Sequence, residues 1–496
     1  MNTPSDTLGA RQRVLVIDIG TSATKAVLFD DGGRVLGEHE APYPSSIVGT
    51  GWHEQDPEDW WRSAVTAVRA LGDLGSIAAI SLAGTMQSVI PLDRFGRILR
   101  PAILYSDSRA FAQFREVAPA LADTGAASLI GNHPNEFMSV FKILWLRQSE
   151  PAHFSKTHVF HVGAKDYLAY RLTGRHGTDP TTASTVGLMD LAGRCWSPVL
   201  TGRLGLDENR LPEILDADAL VGSVTAEAAR GLGIAQGTPV INGCGDAGAS
   251  TLGAGAIESG NAYIYLGTTA WTAVAQTLEQ LALPHDLYTL AHPNPGLAIR
   301  IGAMLSGGDS AAWWSDVSRV SFAALESQLA AVDQHPPDTL FLPYLKGERC
   351  PFVDPQVRGA FLGIDRSAGA ASLFYAVLEG VAFALRANMD ALGVGAVAVR
   401  LIGGGANSSL WPQLIADVTG RSVRLSASGT AATAFGALHL AARQLGFTPR
   451  WAYAPNETPP RPERAARAQE RWRLFCAATR FARDLAKGAS VDGALR

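Results

Sequence analysis

A short acidic and glycine-rich stretch near the start of the chain has residue types that can hold a metal ion and a phosphate group. The apolar run Val14–Ile17 ends at Asp18, a Gly-Thr-Ser turn follows at residues 20–22, and a second β-rich run begins at Lys25. A buried carboxylate at a strand end needs a partner, and a bound cation is one such partner. Glycine allows close backbone approach, and the N–H and hydroxyl groups of the turn can hold phosphate oxygens. The same pattern also fits a surface hairpin with a polar tip.

A second strand-end carboxylate and a second glycine turn occur later in the chain. Asp246 follows a short apolar run and lies in a glycine turn. Residues 261–276 repeat the opening pattern, so that a Gly-Thr-Thr turn at 267–269 aligns with the turn at 20–22, and a tyrosine stands where Asp18 stands. The repeat predicts two similar halves whose hairpins hold one phosphate chain from opposite sides. Only the first half has an acid in place for a metal ion.

The elements that must position these residues alternate between strands and helices. Apolar runs with a strand pattern occur at 77–82 and 89–92, and a helix start at Asp56 precedes an apolar helical face. This alternation predicts an α/β protein with mixed sheets. Near residues 397–405 a strand leads through three glycines into a helix, and such a turn can receive an anion or a flat ring against exposed backbone.

Length, charge and cysteine usage restrict the class of protein. A chain of 496 residues is long enough for two or more domains, and a net charge of −4 shows no footprint for binding a polyanion. The four cysteines are far apart and form no CxxC pair, which favours a reducing compartment. Because the N-terminus lacks an apolar signal-peptide core and no run reaches about 20 apolar residues, we expect a cytoplasmic protein without a membrane span.

Taken together, these motifs resemble the FGGY family of carbohydrate kinases, and within it the xylulokinases most. The resemblance is carried by IDIGTSATKAVLFD, WHEQDPEDWW, RPAILYSDSR, FKILWL, KDYLAYRLTG, GCGDAGASTLGAGA, IYLGTTAWTAV, FLPYLKGERCP, GAFLGI, VLEGVAFAL and LIGGGANSSLW, in that order along the chain. It implies an α/β fold of two actin-like ATPase (ribonuclease H-like) domains, 1–252 and 253–496, with a catalytic cleft between them. The N-terminal domain would hold the sugar, metal and phosphate side, and the C-terminal domain the adenine nucleotide.

The resemblance also implies roles for individual residues. Asp18 would help to hold Mg²⁺, and Asp246 would be the general base that accepts the proton of the attacking hydroxyl. ATP would be bound by Gly20, Thr21, Ser22, Lys25, Gly267, Thr268, Gly308, Gly404, Gly405 and Asn407. The sugar would be bound by Met86, Gln87, Tyr105, Asp107, Phe137 and Asp246. The alternatives are an N-cap role for Asp246, a metal-free turn role for Asp18 and core packing for the two aromatic residues.

The chain departs from the family pattern mainly on the sugar side. Gln87 stands where xylulokinases usually carry histidine, Tyr105 where tryptophan is frequent, Ser106 where asparagine is common, and Ala247 where asparagine or glutamine often follows the base. Glutamine can donate and accept hydrogen bonds but cannot carry charge. The nucleotide side therefore matches the family more closely than the sugar side does.

We therefore expect ATP-dependent phosphorylation of D-xylulose to D-xylulose 5-phosphate. Another ketopentose, gluconate or a polyol is the alternative acceptor, and a carboxylate acceptor would need a cation such as Arg109. A non-catalytic ATP-binding switch or sugar sensor with the actin fold is the alternative of a different class. The expected partners are a small sugar and ATP, not nucleic acid or a membrane, and homodimer formation is left open.

Overall fold

The computed structural model describes residues 12–281, 287–426, 432–450 and 453–488. The strands are β1 Arg13–Ile19, β2 Ala23–Asp30, β3 Val35–Pro42, β4 Ser46–Gly49, β5 Trp52–Gln55, β6 Ile77–Gly84, β7 Ile90–Leu92, β8 Ala102–Ile103, β9 Val159–His161, β10 Gly177–Thr178, β11 Met189–Asp190, β12 Cys195–Trp196, β13 Glu213–Ile214, β14 Leu220–Ser223, β15 Pro239–Gly245, β16 Ala262–Leu266, β17 Ala270–Thr277, β18 Tyr288–Ala291, β19 Leu297–Met304, β20 Leu340–Leu342, β21 Ala360–Leu362, β22 Val399–Ile402, β23 Val423–Ser426 and β24 Tyr453–Thr458.

The α-helices are α1 Pro57–Ala70, α2 Phe111–Ala122, α3 Ala126–Ile130, α4 Ser139–Ser149, α5 Pro151–Lys156, α6 Ala164–Thr173, α7 Pro180–Ala183, α8 Pro198–Leu204, α9 Ala226–Leu232, α10 Asp246–Gly253, α11 Gly308–Ser318, α12 Phe322–Gln334, α13 Ala370–Ala391, α14 Trp411–Thr419, α15 Ala432–Leu445 and α16 Pro462–Ala486. Short 3₁₀ helices lie at Glu208–Arg210, Leu278–Gln280 and Gly404–Asn407.

Two compact units divide the described residues. The first contains the chain up to Gly253, Leu290–Ala298 and the described residues from 432 to 450, and the second contains the remainder. Helix α15, which lies within the predicted C-terminal domain 253–496, therefore belongs in space to the first unit. The predicted domain boundary near residue 252 divides the chain once, whereas each compact unit is made of several separate segments. The boundary therefore stays a prediction.

A six-stranded sheet in the order β14-β15-β6-β1-β2-β3 forms the centre of the first unit. Strand β1 is antiparallel to β2 and parallel to β6, and β6 is parallel to β15. The apolar run Val14–Ile17 is fully buried, as expected for a central strand covered on both faces. Because β1, β6 and β15 run in the same direction, their carboxyl ends open at one edge of the sheet.

Small residues let helices α10 and α15 of the first unit pack with their backbones in contact. A Cβ atom on Gly253 would lie 1.7 Å from Ala432 O, and one on Gly436 would lie 1.9 Å from Ala249 O. Any side chain at these glycines would push the two helices apart. The small-residue stretch after Asp246 therefore fixes a close helix pair beside the end of β15.

The second unit is built on a seven-stranded sheet in the order β18-β19-β17-β16-β22-β23-β24. Strands β16 and β17 form the predicted second hairpin, and β22 is parallel to β16. Helix α13 is long and apolar enough to cross a membrane by length and composition alone, but 67 % of its most apolar window is buried inside the protein. Its buried residues, including Phe374, Leu378 and Leu385, belong to the main core of this unit.

Candidate active site

Asp18 and Asp246 lie at the same edge of the first unit's sheet. Asp18 on β1 pairs with Ala83 on β6, and Gly245, the residue before Asp246, pairs with Gly84 on β6. One strand therefore separates the two acidic positions, so their backbones are on the order of 10 Å apart. Gly84 and Gly245 have no side chains to fill the space between them. The register thus brings together the two carboxylates that the sequence places more than two hundred residues apart.

Asp18 has an oxygen atom that nothing in the described protein satisfies. Its Oδ1 is buried and lacks a hydrogen-bond partner among the described residues. The pKa of Asp18 is raised to about 7, chiefly by burial; the charge of Asp246 also raises it, that of Lys25 lowers it and that of Glu40 raises it. The charge of an ionised Asp246 therefore opposes ionisation of Asp18. A divalent cation would relieve both the desolvation and the repulsion.

The donor set at this edge fits Mg²⁺ rather than a metal held in a closed cage of side chains. Among the described residues there is no group of three His, Cys, Asp or Glu side chains that could hold a metal ion. Mg²⁺ is usually bound by one or two carboxylates, with water and substrate phosphates completing its shell. Asp18, with its unsatisfied oxygen, supplies one such carboxylate.

Asp246 stands at the junction of β15 and α10. The N–H of Ala247 donates to Asp246 Oδ1 at 2.8 Å. Burial raises the pKa of Asp246 to about 6, the Ala247 N–H bond lowers it, and Asp179 raises it. A carboxylate with a pKa near 6 is ionised at neutral pH and is still a better proton acceptor than an ordinary aspartate. The arrangement suits a general base, and the predicted role of Asp246 rests on it.

A buried ionic cluster supports the glycine turn at the end of β15. Lys165 Nζ lies 2.9 Å from Asp166 Oδ1, 3.1 Å from Asp179 Oδ2 and 3.2 Å from Asn242 Oδ1. The N–H of Gly245 donates to Asp179 Oδ1 at 3.4 Å. Burial alone would lower the pKa of Lys165, but Asp166 and Asp179 raise it above its ordinary value. No role was predicted for these residues, although a Lys-Asp pair within the segment that forms α6 was a signal of a buried ion pair.

The first hairpin turn is held at its carbonyl groups by residues from outside the hairpin. Gln55 Nε2 donates to Thr21 O at 2.8 Å. The backbone N–H of Tyr43 donates to Ser22 O at 3.0 Å, and its hydroxyl donates to Gly20 O. These bonds give the predicted phosphate turn a fixed shape, a support that the sequence pattern did not reveal.

Replacing Gln55 by leucine is expected to weaken nucleotide binding without affecting the sugar. Gln55 also accepts a bond from Trp60 Nε1 at 2.9 Å, so its side chain is fixed at both ends. Loss of the hydrogen bond from Gln55 to Thr21 O should raise the KM for ATP roughly three- to tenfold, the effect of one hydrogen bond. Gln113→Leu is the matched control, because Gln113 pairs with Gln148 on helices away from this turn. A larger change in sugar KM than in ATP KM would contradict this assignment.

Lys25 forms an ion pair within the sheet. Its Nζ lies 3.0 Å from Glu38 Oε2, and its side chain is 21 % exposed. Lys25 pairs in register with Asp18 across β1 and β2. Its predicted contact with the ATP phosphates stays a prediction, which would require the ammonium to exchange Glu38 for phosphate.

The turn that follows β6 brings two predicted sugar ligands beside Asp246. A Cβ atom on Gly245 would lie 2.1 Å from Met86 Sδ, so Met86 packs directly on the residue before the carboxylate. Gln87 has a φ of 61°, a left-handed conformation that residues other than glycine rarely adopt. Tyr105 is 38 % exposed, and its hydroxyl lies 3.4 Å from Thr21 Oγ1. The left-handed backbone of Gln87 is a local strain, which is typical of functional turns.

The position of Phe137 supports its predicted role less directly. Its side chain is partly buried. It lies two residues before Ser139, whose Oγ donates to Ser88 O at 3.3 Å beside the turn that carries Gln87. The segment therefore approaches the sugar side, and contact between the ring and the sugar stays a prediction.

Asp107, a predicted sugar ligand, is bonded to the protein framework. Its side chain is completely buried. Its carboxylate accepts bonds from Arg109 N at 2.9 Å, Nε at 2.8 Å and Nη2 at 2.7 Å, and from His53 N at 2.6 Å. Four donors occupy the acceptor positions of a carboxylate. Direct contact with the sugar therefore stays a prediction that this geometry disfavours.

Arg109 is likewise occupied. It pairs with Glu54 Oε1 at 2.7 Å as well as with Asp107, and its guanidinium lies 4.2 Å from the centre of the Trp52 ring and 4.9 Å from that of Trp145. Its side chain is not exposed. Two carboxylates neutralise its charge, so Arg109 is not available to a carboxylate substrate.

A cavity of about 500 Å³ in the second unit collects the predicted nucleotide residues of that half. Its lining includes Gly267, Thr268, Gly308, Gly404, Gly405 and Asn407. The second hairpin turn lies on the start of α11, where Gly308 N donates to Gly267 O at 2.7 Å and Asp309 N donates to Thr268 O at 3.0 Å. A Cβ on Gly308 would lie 2.4 Å from Gly267 O, so only glycine permits this approach.

The far end of this cavity combines exposed backbone with apolar walls. A Cβ on Gly404 would meet nothing within 4 Å, and Phe322 and Trp411 also line the space. Glu326 Oε1 accepts bonds from Ser408 Oγ at 2.8 Å and Ser409 N at 2.6 Å, which fixes the chain after the glycines. An open glycine backbone beside apolar side chains suits a flat aromatic ring. Sequence analysis did not single out Glu326, which lies outside every motif.

Family models and relatives match most of the chain. Residues 13–253 match the N-terminal domain of the FGGY family of carbohydrate kinases, and residues 262–445 match its C-terminal domain. The chain is 33 % identical over 434 residues to the xylulose kinase of Escherichia coli strain K12, covering 86 % of this chain and 88 % of that one.

Solved structures show the same fold. The xylulose kinase of Rhodospirillum rubrum matches with a TM-score of 0.87 and 28 % identity, covering 96 % of this chain and 100 % of that one. The gluconate kinase of Lactobacillus acidophilus matches with a TM-score of 0.85 and 26 % identity, covering 95 % and 99 %. The predicted α/β class with two actin-like ATPase domains is confirmed. The chain belongs to the FGGY family of carbohydrate kinases and is a sugar kinase, for which the family implies ATP as the phosphoryl donor.

Proposed function

We propose that this kinase transfers the γ-phosphoryl group of ATP to D-xylulose and forms D-xylulose 5-phosphate, with Mg²⁺ as the metal. The observation that carries the proposal is the packing of Met86 on Gly245, which sets the turn bearing Gln87 directly beside Asp246. Relatives named xylulose kinase, at 33 % identity for the Escherichia coli protein, support the choice of sugar.

The residues of the chain divide the work of phosphoryl transfer. Asp246 accepts the proton of the attacking hydroxyl, for which its pKa of about 6 is suited. Asp18 holds Mg²⁺, which when bound neutralises charge on the phosphate oxygens. The turns at 20–22 and 267–268 bind phosphate, and the cavity beside Gly404 binds adenosine. Little covalent catalysis is required, because the reaction depends on positioning and on charge neutralisation.

An uncharged acceptor is favoured over gluconate. The cation that sequence analysis suggested for a carboxylate substrate, Arg109, is buried and paired with Asp107 and Glu54. To use Arg109, gluconate would have to displace one of these carboxylates, which is costly. A ketopentose needs only hydrogen-bonding groups such as Gln87 and Tyr105.

The acceptor is tested by measuring ADP formation with D-xylulose, D-ribulose, L-ribulose, D-gluconate and glycerol. We expect the highest kcat/KM with D-xylulose and the lowest with D-gluconate. A higher kcat/KM with D-gluconate would contradict the proposal and show that a cation is freed on binding. If no acceptor raises ADP formation, the protein is the non-catalytic switch or sensor rather than an active kinase.

Replacing Gln87 by alanine is expected to weaken sugar binding about tenfold, the effect of losing one or two hydrogen bonds to the acceptor. Alanine and glutamine both carry a Cβ, so the cost of the left-handed backbone is similar in the two proteins. Gln87→His should retain most activity with D-xylulose, because histidine tolerates this conformation and can donate and accept. Steady-state kinetics check both variants, and an unchanged sugar KM in the alanine variant would remove Gln87 from the sugar site.

The cellular setting follows from the substrates. We infer that the protein acts in the cytoplasm, where ATP and Mg²⁺ are available. Its four cysteines, Cys195, Cys244, Cys350 and Cys476, are all free thiols, which supports a reducing compartment.

A further inference from the structure

A buried lysine that the proposed mechanism does not use connects two segments of the sugar side. Lys142 lies on α4, within the FKILWL motif, and its side chain is completely buried. Its Nζ donates to Gln87 O at 3.0 Å and to Leu104 O at 2.8 Å. We call residues 85–88 the sugar turn and residues 104–107 the sugar loop. Lys142 is thus hydrogen-bonded to the backbone of both.

The ammonium group of Lys142 has an unusual set of partners. Among the described residues it forms no ion pair, since the neighbouring Asp107 is already bound by Arg109 and by His53 N. Burial lowers the pKa of Lys142 to about 7, Asp107 raises it, and Arg109 lowers it. A buried cation with only carbonyl partners is costly compared with an apolar side chain of the same shape. Stability alone therefore gives no reason for a lysine at this position.

The two carbonyl groups identify what the lysine supports. Gln87 holds a left-handed backbone conformation, with φ of 61°, which must be maintained by its surroundings. Leu104 immediately precedes Tyr105, the other polar side chain that the proposal places at the sugar with Gln87. A single group bonded to both backbones sets the distance between the side chains of Gln87 and Tyr105.

We propose that Lys142 is a positioning residue for the sugar, which acts by bonding the sugar turn to the sugar loop at the carbonyls of Gln87 and Leu104. This inference rests on the proposed assignment of Gln87 and Tyr105 to the sugar. It predicts that Lys142 affects recognition of the acceptor and leaves ATP binding unchanged. A merely structural lysine would instead affect the amount of folded protein, which lowers the apparent kcat and leaves both KM values unchanged.

The test is Lys142→Met, which keeps the length of the side chain and removes its donors. We expect the KM for the sugar to rise about tenfold or more, and the KM for ATP to stay within about twofold. The ratio of kcat/KM for D-xylulose to that for D-ribulose should fall about fivefold. The reason is that the backbones carrying Gln87 and Tyr105 are no longer held at a fixed distance. Lys142→Gln retains an N–H donor and should recover part of both effects.

Ile143→Val is the matched control. Ile143 is the next residue of α4 and is 1 % exposed, so the change costs packing energy without touching either carbonyl. Equal shifts in the two KM values, or an unchanged selectivity ratio, would overturn the proposal. If Lys142→Met does not fold, Lys142→Gln supplies the same two ratios. If the unaltered protein prefers another sugar, both ratios are measured with that sugar, so a wrong acceptor and a wrong role for Lys142 give different outcomes.

Discussion

Replacing Asp246 by asparagine is expected to lower kcat for sugar phosphorylation about a thousandfold or more, while ATP still binds. A positioned general base contributes roughly 10² to 10⁴ in rate, and asparagine cannot accept the proton of the attacking hydroxyl. The amide is nearly the same size as the carboxylate, so the packing of Met86 on Gly245 should persist. Steady-state kinetics and calorimetric titration with ATP measure the two effects separately.

This substitution also tests the alternative that Asp246 only caps α10. Asparagine caps helices as well as aspartate does, so a capping role predicts almost no change. Asp56→Asn is the matched control, because Asp56 caps α1 by accepting a bond from Glu58 N at 2.9 Å. Near-normal turnover in Asp246→Asn would remove Asp246 as the base.

The pH profile gives an independent check on Asp246. Burial raises its pKa to about 6, and a base works only when it is ionised. The kcat/KM for the sugar should therefore fall as the pH drops below about 6 and be flat above it, until other groups titrate. An ordinary aspartate would show no such limb above about pH 5. A profile that is flat down to about pH 4.5 would contradict the raised pKa.

Local patterns carry most of the predicted nucleotide side of this protein. The repeated hairpins, the acid at the end of β1 and the three glycines near residue 404 each lie within a few consecutive residues, so they can be found in the sequence, and the family resemblance then assigns them to the nucleotide. Six of the predicted nucleotide residues line one cavity: Gly267, Thr268, Gly308, Gly404, Gly405 and Asn407. The close approach of Gly308 to Gly267 O shows why glycine occurs there.

The sugar side was less predictable because its contacts join distant segments. The resemblance placed Asp107 at the sugar, but His53 N and Arg109 occupy its carboxylate. The support of Gly245 by Asp179 depends on residues 66 positions apart in the chain, and the bond from Lys142 to Gln87 on residues 55 positions apart. Composition and spacing do not predict such pairings, because the two segments come together only when the chain folds and the strands of the sheet take their register.

The second large effect is expected for Asp18→Asn, which should weaken the response to Mg²⁺ and lower kcat by about a hundredfold or more. In the described protein, Asp18 Oδ1 has no partner, and removing its charge removes the carboxylate best placed for a cation. The concentration of Mg²⁺ for half-maximal activity should rise at least about tenfold. An unchanged metal titration would leave the opening hairpin with a structural role only.

The same substitution should stabilise the metal-free protein. Folding raises the pKa of Asp18 from 3.8 to about 7, so the folded state keeps a proton that the unfolded state loses as the pH rises through that range. The unfavourable contribution of Asp18 therefore grows between about pH 4 and pH 7 and stays at its maximum above, where it reaches up to about 4 kcal/mol. Asparagine carries no charge and avoids this cost, so Asp18→Asn should unfold at a higher temperature than the parent at about pH 8.

Asp30→Asn provides the opposing control at the other end of the same hairpin. Asp30 accepts bonds from the N–H groups of Gly32 and Arg34 and pairs with the Arg34 side chain, so its loss should lower the unfolding temperature without changing the Mg²⁺ response. Mg²⁺ with ADP should raise the unfolding temperature of the parent and of Asp30→Asn, but much less that of Asp18→Asn. If Asp18→Asn is more stable and less active than the parent, the carboxylate of Asp18 serves the metal and not the fold. If Asp18→Asn is instead less stable at this pH, the carboxylate has a partner within the fold and the metal assignment fails.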